Sequence, residues 1–213
     1  MHEIASSYDA MAAVYTELFG DVELQHPLDR AVFTGFAHLL RREAATTVAD
    51  LGCGPGHWTA DLASHGFDVI GIDGSAALLD LARARHPHLT FARGDLGELS
   101  EVARVGGTLG DSSLDGAVAW FSLIHTAPDD LDRLLAEIAR VLRAGGLLLV
   151  GFQVAPGAEP EAFDHRVVRA WSWPVDALSA RLHAAGLREQ ARGVRQPEEG
   201  ERLPGGHLVA RRT

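Results

Sequence analysis

Three glycines in the segment VADLGCGPGHW, residues 48–58, carry the densest chemical signal in the chain. Gly52, Gly54 and Gly56 stand where an apolar run gives way to a helical pattern. Small residues there let the backbone approach a ligand, and the start of a helix offers free N–H groups. Three acids recur where successive apolar runs end: Asp50 in VADL, Asp73 in VIGID and Asp95 in ARGDL. Asp73 follows Gly52 by 21 residues, where a carboxylate can accept both hydroxyls of an adenosine ribose. Asp95 suits an adenine amino group. Each feature also has a plainer reading, a tight turn for the glycines and an Asx turn or helix cap for the acids. In a parallel sheet, however, all three acids fall on the carboxyl edge, where such folds bind ligands. That coincidence favours a site.

The glycine spacing bears on the ligand. A dinucleotide fingerprint, G-x-G-x-x-G, needs its third glycine at position 57 when counted from Gly52. This chain has His57 there and Pro55 inside the loop. The pattern G-x-G-x-G fits a ligand without a pyrophosphate better. Cys53, inside the turn, reads as a packing residue rather than a reactive thiol.

Two histidines are candidates for proton transfer. His125, in FSLIHTAPDD, follows the fourth apolar run by a few residues, and a neutral imidazole can take a hydroxyl proton. His165 is the second, in a segment that also holds Trp171 and Trp173, which could wall an aromatic or polyketide-like acceptor. Capping or surface roles compete for both histidines, and core packing for both tryptophans.

These residues need elements to position them. From Thr47 onward, short apolar runs alternate with helical patterns. Strands are expected at Thr47–Leu51, Asp68–Ile72, Leu89–Ala92, Asp115–Trp120 and Leu147–Phe152. Between them fall a helix ending near Gly66, one from an N-capping Ser75 to about Arg85, and one from Asp129 to Leu142 closed by Gly145–Gly146. Such alternation predicts a parallel, doubly wound α/β sheet. Residues 153–173 break the rhythm and read as an insertion over the sheet's edge. A helix over Pro174–Ala185 and two strands, Leu187–Gln196 and His207–Arg212, complete the chain, the strands forming an antiparallel hairpin. The stretch Gly106–Ser113 reads as a flexible connection.

Residues 1–46 read as two helices broken at Gly20–Asp21, the second opened by Pro27. They form an expected helical cap, with both tyrosines, Tyr8 and Tyr15, on its first segment; residues 47–213 form the main domain. Bulk properties agree with a single compact unit. The 213 residues are 46% hydrophobic and 23% charged, with a formal net charge of −10. An acidic surface without a Lys/Arg cluster argues against nucleic acid. The single cysteine excludes an intrachain disulfide and a cysteine-based metal site. Neither a membrane span nor a signal peptide is visible, so a soluble cytoplasmic protein is expected.

Taken in order, VADLGCGPGHW, VIGIDGS, ARGDL and LDGAVAWFSLIH with LAEIARVLRAGGLLLVGF resemble the motifs of class I S-adenosylmethionine-dependent methyltransferases over roughly residues 45–153. The resemblance implies a Rossmann-like, mostly parallel seven-stranded sheet with a C-terminal antiparallel hairpin and an N-terminal helical cap. It also implies S-adenosylmethionine as cofactor, with Gly52 and Gly54 facing the methionine part and Asp50 and Cys53 among the cofactor-binding residues. Asp73 would hold the ribose, Asp95 and Leu96 would frame the adenine, and Gly74, Ser75, Phe121 and Ser122 would lie near the cofactor. The front helix resembles that of the small-molecule branch, in which Tyr8 and Tyr15 could contact cofactor or acceptor. Amino-group methylases of bases carry an Asn/Asp-Pro-Pro-Tyr segment after the fourth strand; here that place reads Trp120-Phe121-Ser122-Leu123. Nor does this stretch offer the converging carboxylates of a Mg²⁺ site. Metal-free transfer to a small-molecule acceptor is expected, at a hydroxyl before nitrogen or carbon. The rivals are a cofactor-binding or cyclase protein on the same fold, and a nicotinamide-dependent reductase.

Overall fold

A computed structural model describes residues 2–104 and 107–213. Gly106, where the expected flexible connection begins, lies outside the described residues.

The chain opens with α1 (His2–Phe19) and α2 (Pro27–Arg42), then enters β1 (Thr47–Leu51). Two helix–strand steps follow, α3 (His57–Ser64) to β2 (Asp68–Asp73) and α4 (Ala76–Arg85) to β3 (Thr90–Arg93), and then, past a short antiparallel pair β4 (Ala103–Arg104) and β5 (Gly107–Thr108), comes β6 (Leu114–Trp120). A single 3-10 turn, Leu123–His125, leads into α5 (Pro128–Val141) and the long strand β7 (Leu142–Gln153). Short strands β8 (Glu161–Phe163) and β9 (Ala170–Ser172) pair antiparallel, and α6 (Val175–Ala184), β10 (Leu187–Arg195) and β11 (Gly205–Arg212) finish the fold.

Seven strands form one sheet in the order β10-β11-β7-β6-β1-β2-β3. The pairs from β7 to β3 are parallel, whereas β11 runs antiparallel to both β7 and β10. This is the expected doubly wound sheet with its closing hairpin. Its central strands are apolar throughout because both faces are covered. Successive residues alternate between two cores. Ala49, Ile70, Ala117 and Leu148 pack with Leu131, Leu135 and Ile138 of α5, while Val48, Val69, Val118 and Leu149 pack with Phe33, Phe36 and Leu40 of α2 and Trp58 of α3.

The strand order reverses between β1 and β6, so the loops after these strands open a crevice at the carboxyl edge. At the opposite end Asp115 joins three strand starts. Its carboxylate accepts from the backbone N–H of Thr46 (2.7 Å) and Thr47 (2.9 Å) and pairs with Arg143.

The strand after α5 begins five residues earlier than expected. Leu142 already pairs with Leu114, the next partners are Gly116 and Leu147, and the residues between form an irregularity with Gly145 at φ 78°. The two glycines therefore make a fold-back inside the strand rather than a stop after the helix. Within residues 1–46 the two helices are held differently: α2 is built into the core, whereas α1 lies against α4 and leaves Met11, Val14, Leu18 and Phe19 exposed. Among the described residues no helix is long and apolar enough to cross a membrane.

Candidate active site

The loop after β1 is shaped by its glycines. Gly52, Gly54 and Gly56 have φ of 80°, 52° and 84°, a region that side chains with a Cβ rarely adopt. Their surroundings separate their roles. A Cβ on Gly52 would overlap Ser122, and one on Gly56 would lie 2.8 Å from Phe91. On Gly54 it would meet only Tyr15 Cε1 at 3.7 Å, an ordinary contact. The Gly54 position therefore faces a cleft, which encloses about 750 Å³ including its mouth.

Asp73 stands across this cleft at the end of β2. Its Oδ2 accepts from Gly54 N (2.9 Å) and its Oδ1 from Ser75 N (2.8 Å). A carboxylate has about four lone-pair sites, so two remain for a ligand's hydroxyls. Burial raises its pKa, against the pull of the backbone N–H groups. Gly74 and Leu96 continue the wall, and Trp120, Phe121 and Ser122 close it from the end of β6. Phe121 has φ 51°, uncommon for a non-glycine residue, and this turns the chain so that Ser122 faces Gly52. The Ser122 Oγ is buried with no hydrogen-bond partner. That orphaned hydroxyl, the free lone pairs of Asp73 and the open space beside Gly54 fit a ligand with ribose hydroxyls and a polar tail.

Helix α1 covers the cleft with Ile4, Ala5, Tyr8 and Tyr15. The Tyr8 hydroxyl lies 2.8 Å from His125 Nε2, and His125 Nδ1 lies 3.1 Å from the carbonyl oxygen of Arg169. A carbonyl only accepts, so Nδ1 carries the proton, Nε2 is the acceptor and Tyr8 donates to it. Burial drives the His125 pKa down to about 4, keeping the ring neutral. It pushes the Tyr15 phenol up to about 12 and holds the Tyr8 phenol well above its ordinary value. Rings of Tyr8 and Tyr15, and of Tyr8 and His125, meet edge to face at 5.4 and 5.5 Å between centroids.

The structure thus brings Tyr8, Tyr15, Gly52, Gly54, Asp73, Gly74, Leu96, Phe121, Ser122 and His125 to one cleft. The other residues singled out in the sequence are not among its lining residues. Asp50 is buried and accepts from Thr59 Oγ1 at 2.6 Å, and burial lifts its pKa to about 7. Cys53 packs with Leu79, Ala82 and Phe91, and burial pushes its thiol pKa well up. Ser75 is buried and caps α4 through Leu78 N at 3.1 Å. Asp95 makes an Asx turn, accepting from Gly97 N at 2.7 Å. His165 meets His125 edge to face at 5.1 Å between centroids and is not among the cleft's lining residues. Trp173 is core, and Trp171 packs against the same core. Sequence reasoning missed Asp9, whose Oδ1 accepts from Ser75 Oγ (2.6 Å) and Ala77 N (3.0 Å). Its only signal was its place beside Tyr8 on an amphipathic helix.

Comparisons with known proteins converge on one family. The family described as "Methyltransferase domain" matches residues 48–146. The demethylmenaquinone methyltransferase of Beutenbergia cavernae is 30% identical over 212 residues, covering 88% of this chain and 83% of that protein. Among solved structures, the 1,6-didemethyltoxoflavin-N1-methyltransferase of Burkholderia thailandensis, with bound 1,6-didemethyltoxoflavin and S-adenosylhomocysteine, superposes with a TM-score of 0.71. It is 22% identical, covering all 100% of this chain and 90% of that one. The [4+2]-cyclase SpnF superposes with a TM-score of 0.75 at 18% identity, covering 98% of this chain and 95% of that one. At these identities the two structures share the fold.

Proposed function

The chain belongs to the class I S-adenosylmethionine-dependent methyltransferases, and we propose that it methylates a neutral small molecule at a hydroxyl whose proton leaves through Tyr8 and His125. S-adenosylmethionine is the cofactor of this family, and when bound it supplies an activated methyl group on a sulfonium. Gly54 would face its methionine part and Asp73 would hold its ribose hydroxyls. Leu96 would lie against the adenine, and Ser122 would donate its unpartnered hydroxyl.

The observation that carries the reading is the Tyr8–His125–Arg169 series. An acceptor hydroxyl beside Tyr8 gives its proton to the phenol oxygen as the phenol proton passes to His125 Nε2. Burial disfavours the cationic ring that results, and the Arg169 carbonyl, holding the opposite N–H, offsets part of that cost. Such proton transfer typically contributes about 10²–10⁴-fold in rate. Among the described cleft residues Asp73 is the one charged side chain, and the rest of the wall is apolar or aromatic apart from the hydroxyls of Ser122 and Thr126. A wall without Lys or Arg suits an uncharged, flat acceptor better than a carboxylate or a phosphate. Closure by α1 would exclude water from the transfer.

The test is release of S-adenosylhomocysteine from S-adenosylmethionine, with a panel of neutral phenols and hydroxylated polyketide-like compounds beside matched carboxylates and amines. Turnover confined to neutral hydroxyl acceptors is the expected result. Turnover only on anionic acceptors or amines would overturn it. Cofactor binding by calorimetry with no release for any compound would instead favour a binding or cyclase role.

A further inference from the structure

Tyr8 and Asp9 are consecutive on α1, so their side chains leave the helix about 100° apart, as the 3.6-residue turn requires. Tyr8 reaches His125, while Asp9 reaches the start of α4. There its Oδ1 takes two hydrogen bonds, from Ser75 Oγ at 2.6 Å and Ala77 N at 3.0 Å. A carboxylate at a helix N-terminus is favourably placed, because the first N–H groups lack partners within the helix. Ser75 serves both sides of this contact: its backbone N–H donates to Asp73 Oδ1 at 2.8 Å. Asp73 in turn holds Gly54 N. An unbroken series of bonds and adjacent residues therefore runs from the glycine loop through Asp73, Ser75, Asp9 and Tyr8 to His125.

We infer that Asp9 is a positioning residue: it seats α1 on the ribose-side loop and thereby sets the Tyr8 hydroxyl on His125. α1 needs such a tie. It contributes Ala12 and Thr16 as buried side chains, while Met11, Val14, Leu18 and Phe19 stay exposed. Its far end is held by Arg85, which donates to the carbonyl of Gly20 at 2.9 Å. Asp9 is a polar anchor beside the cleft, and it shares Ser75 with Asp73's own turn. The catalytic consequence rests on the Tyr8–His125 reading; the seating does not.

Hydrogen exchange on the full chain separates the two. Asp9→Ala removes both bonds, whereas Asp9→Asn keeps an amide oxygen able to accept from Ser75 and Ala77. Without ligand, Asp9→Ala should speed exchange in α1 by roughly 10–100-fold, the range for hydrogen bonds to a charged group. Amides of β1 and β2 should keep wild-type protection, and Asp9→Asn should lie nearer wild type. Equal α1 protection in Asp9→Ala and wild type would overturn the seating, as would loss of protection throughout the sheet. In the product-release assay Asp9→Ala should lower turnover, and Asp9→Ala with Tyr8→Phe should be no slower than Tyr8→Phe alone. Multiplying losses would overturn action through Tyr8. Wild-type turnover in Tyr8→Phe would instead sink the proton relay and leave exchange to decide the role of Asp9.

Discussion

The hydroxyl of Tyr8 sits 2.8 Å from Nε2 of His125, across 117 positions of sequence, and it occupies the one lone pair of that imidazole. In the proposed proton relay the histidine therefore works through Tyr8, as a pair. Both His125→Asn and Tyr8→Phe should lower turnover about 10²–10⁴-fold. Cofactor affinity, read by calorimetry, should change little in the histidine variant. If turnover per folded molecule stays near wild type while the melting temperature drops, His125 merely braces the turn before α5.

Cofactor affinity should respond to Asp73 and Gly54. Asp73→Ala deletes the proposed ribose acceptor and also strands the N–H groups of Gly54 and Ser75. A loss of about 1.5–3 kcal/mol in S-adenosylmethionine binding is expected. Gly54→Val combines a left-handed backbone, φ 52°, with a branched side chain aimed into the cleft, and should bind more weakly still. Normal calorimetric affinity in a folded Gly54→Val variant would contradict the placement of the ligand.

Asp115 offers the converse, a stability residue far from chemistry. Burial works against its charge, yet N–H groups of Thr46 and Thr47 and the Arg143 guanidinium together hold its pKa below the usual carboxylate range. Asp115→Ala should cost about 2–3 kcal/mol by urea denaturation. Turnover of the folded fraction should be unchanged, because the residue lies at the end of the sheet away from the cleft.

Acid should destabilise the fold through its buried histidines. Burial holds His57 and His125 at about 4, against 6.5 for a solvent-exposed ring in a flexible chain. The unfolded state thus binds protons first, so stability present above pH 6.5 is lost as the pH falls through 4. Each histidine contributes up to about 3 kcal/mol to that loss. His125→Asn should flatten the decline between pH 6.5 and pH 4, measured as the urea midpoint. An unchanged slope would show that the ring is not held neutral.

Asp50 should act with the opposite sign. Burial raises its folded pKa to about 7 from 3.8, so the protonated form is favoured in the fold. Its contribution is full below pH 3.8 and is lost as pH rises through 7. Asp50→Asn keeps an acceptor for Thr59 and never ionises, so it should gain stability over wild type at pH 8 more than at pH 5. Parallel denaturation curves at the two pH values would refute the shift.

Local physics made much of this architecture legible. β1 occupies Thr47–Leu51 as expected, Ser75 caps α4, and Pro27 opens α2, because apolar period, capping chemistry and proline geometry act over a few residues. The positive φ of Gly52, Gly54 and Gly56 likewise follows from a turn that only glycine makes cheaply. Tertiary packing decided the rest. Whether an acid at a strand end faces the cleft depends on its neighbours: Asp73 does, Asp50 turns inward to Thr59, and Asp95 accepts from Gly97 N within its own turn. β7 begins at Leu142 because Leu114 supplies a partner there, which no window of sequence reveals. Tyr8 meets His125, and Asp9 meets Ser75, only after α1 has crossed the sheet's edge to lie on α4. Periodicity tells which face of a helix is apolar, but a partner more than sixty residues away is chosen by the closed shape of the whole fold.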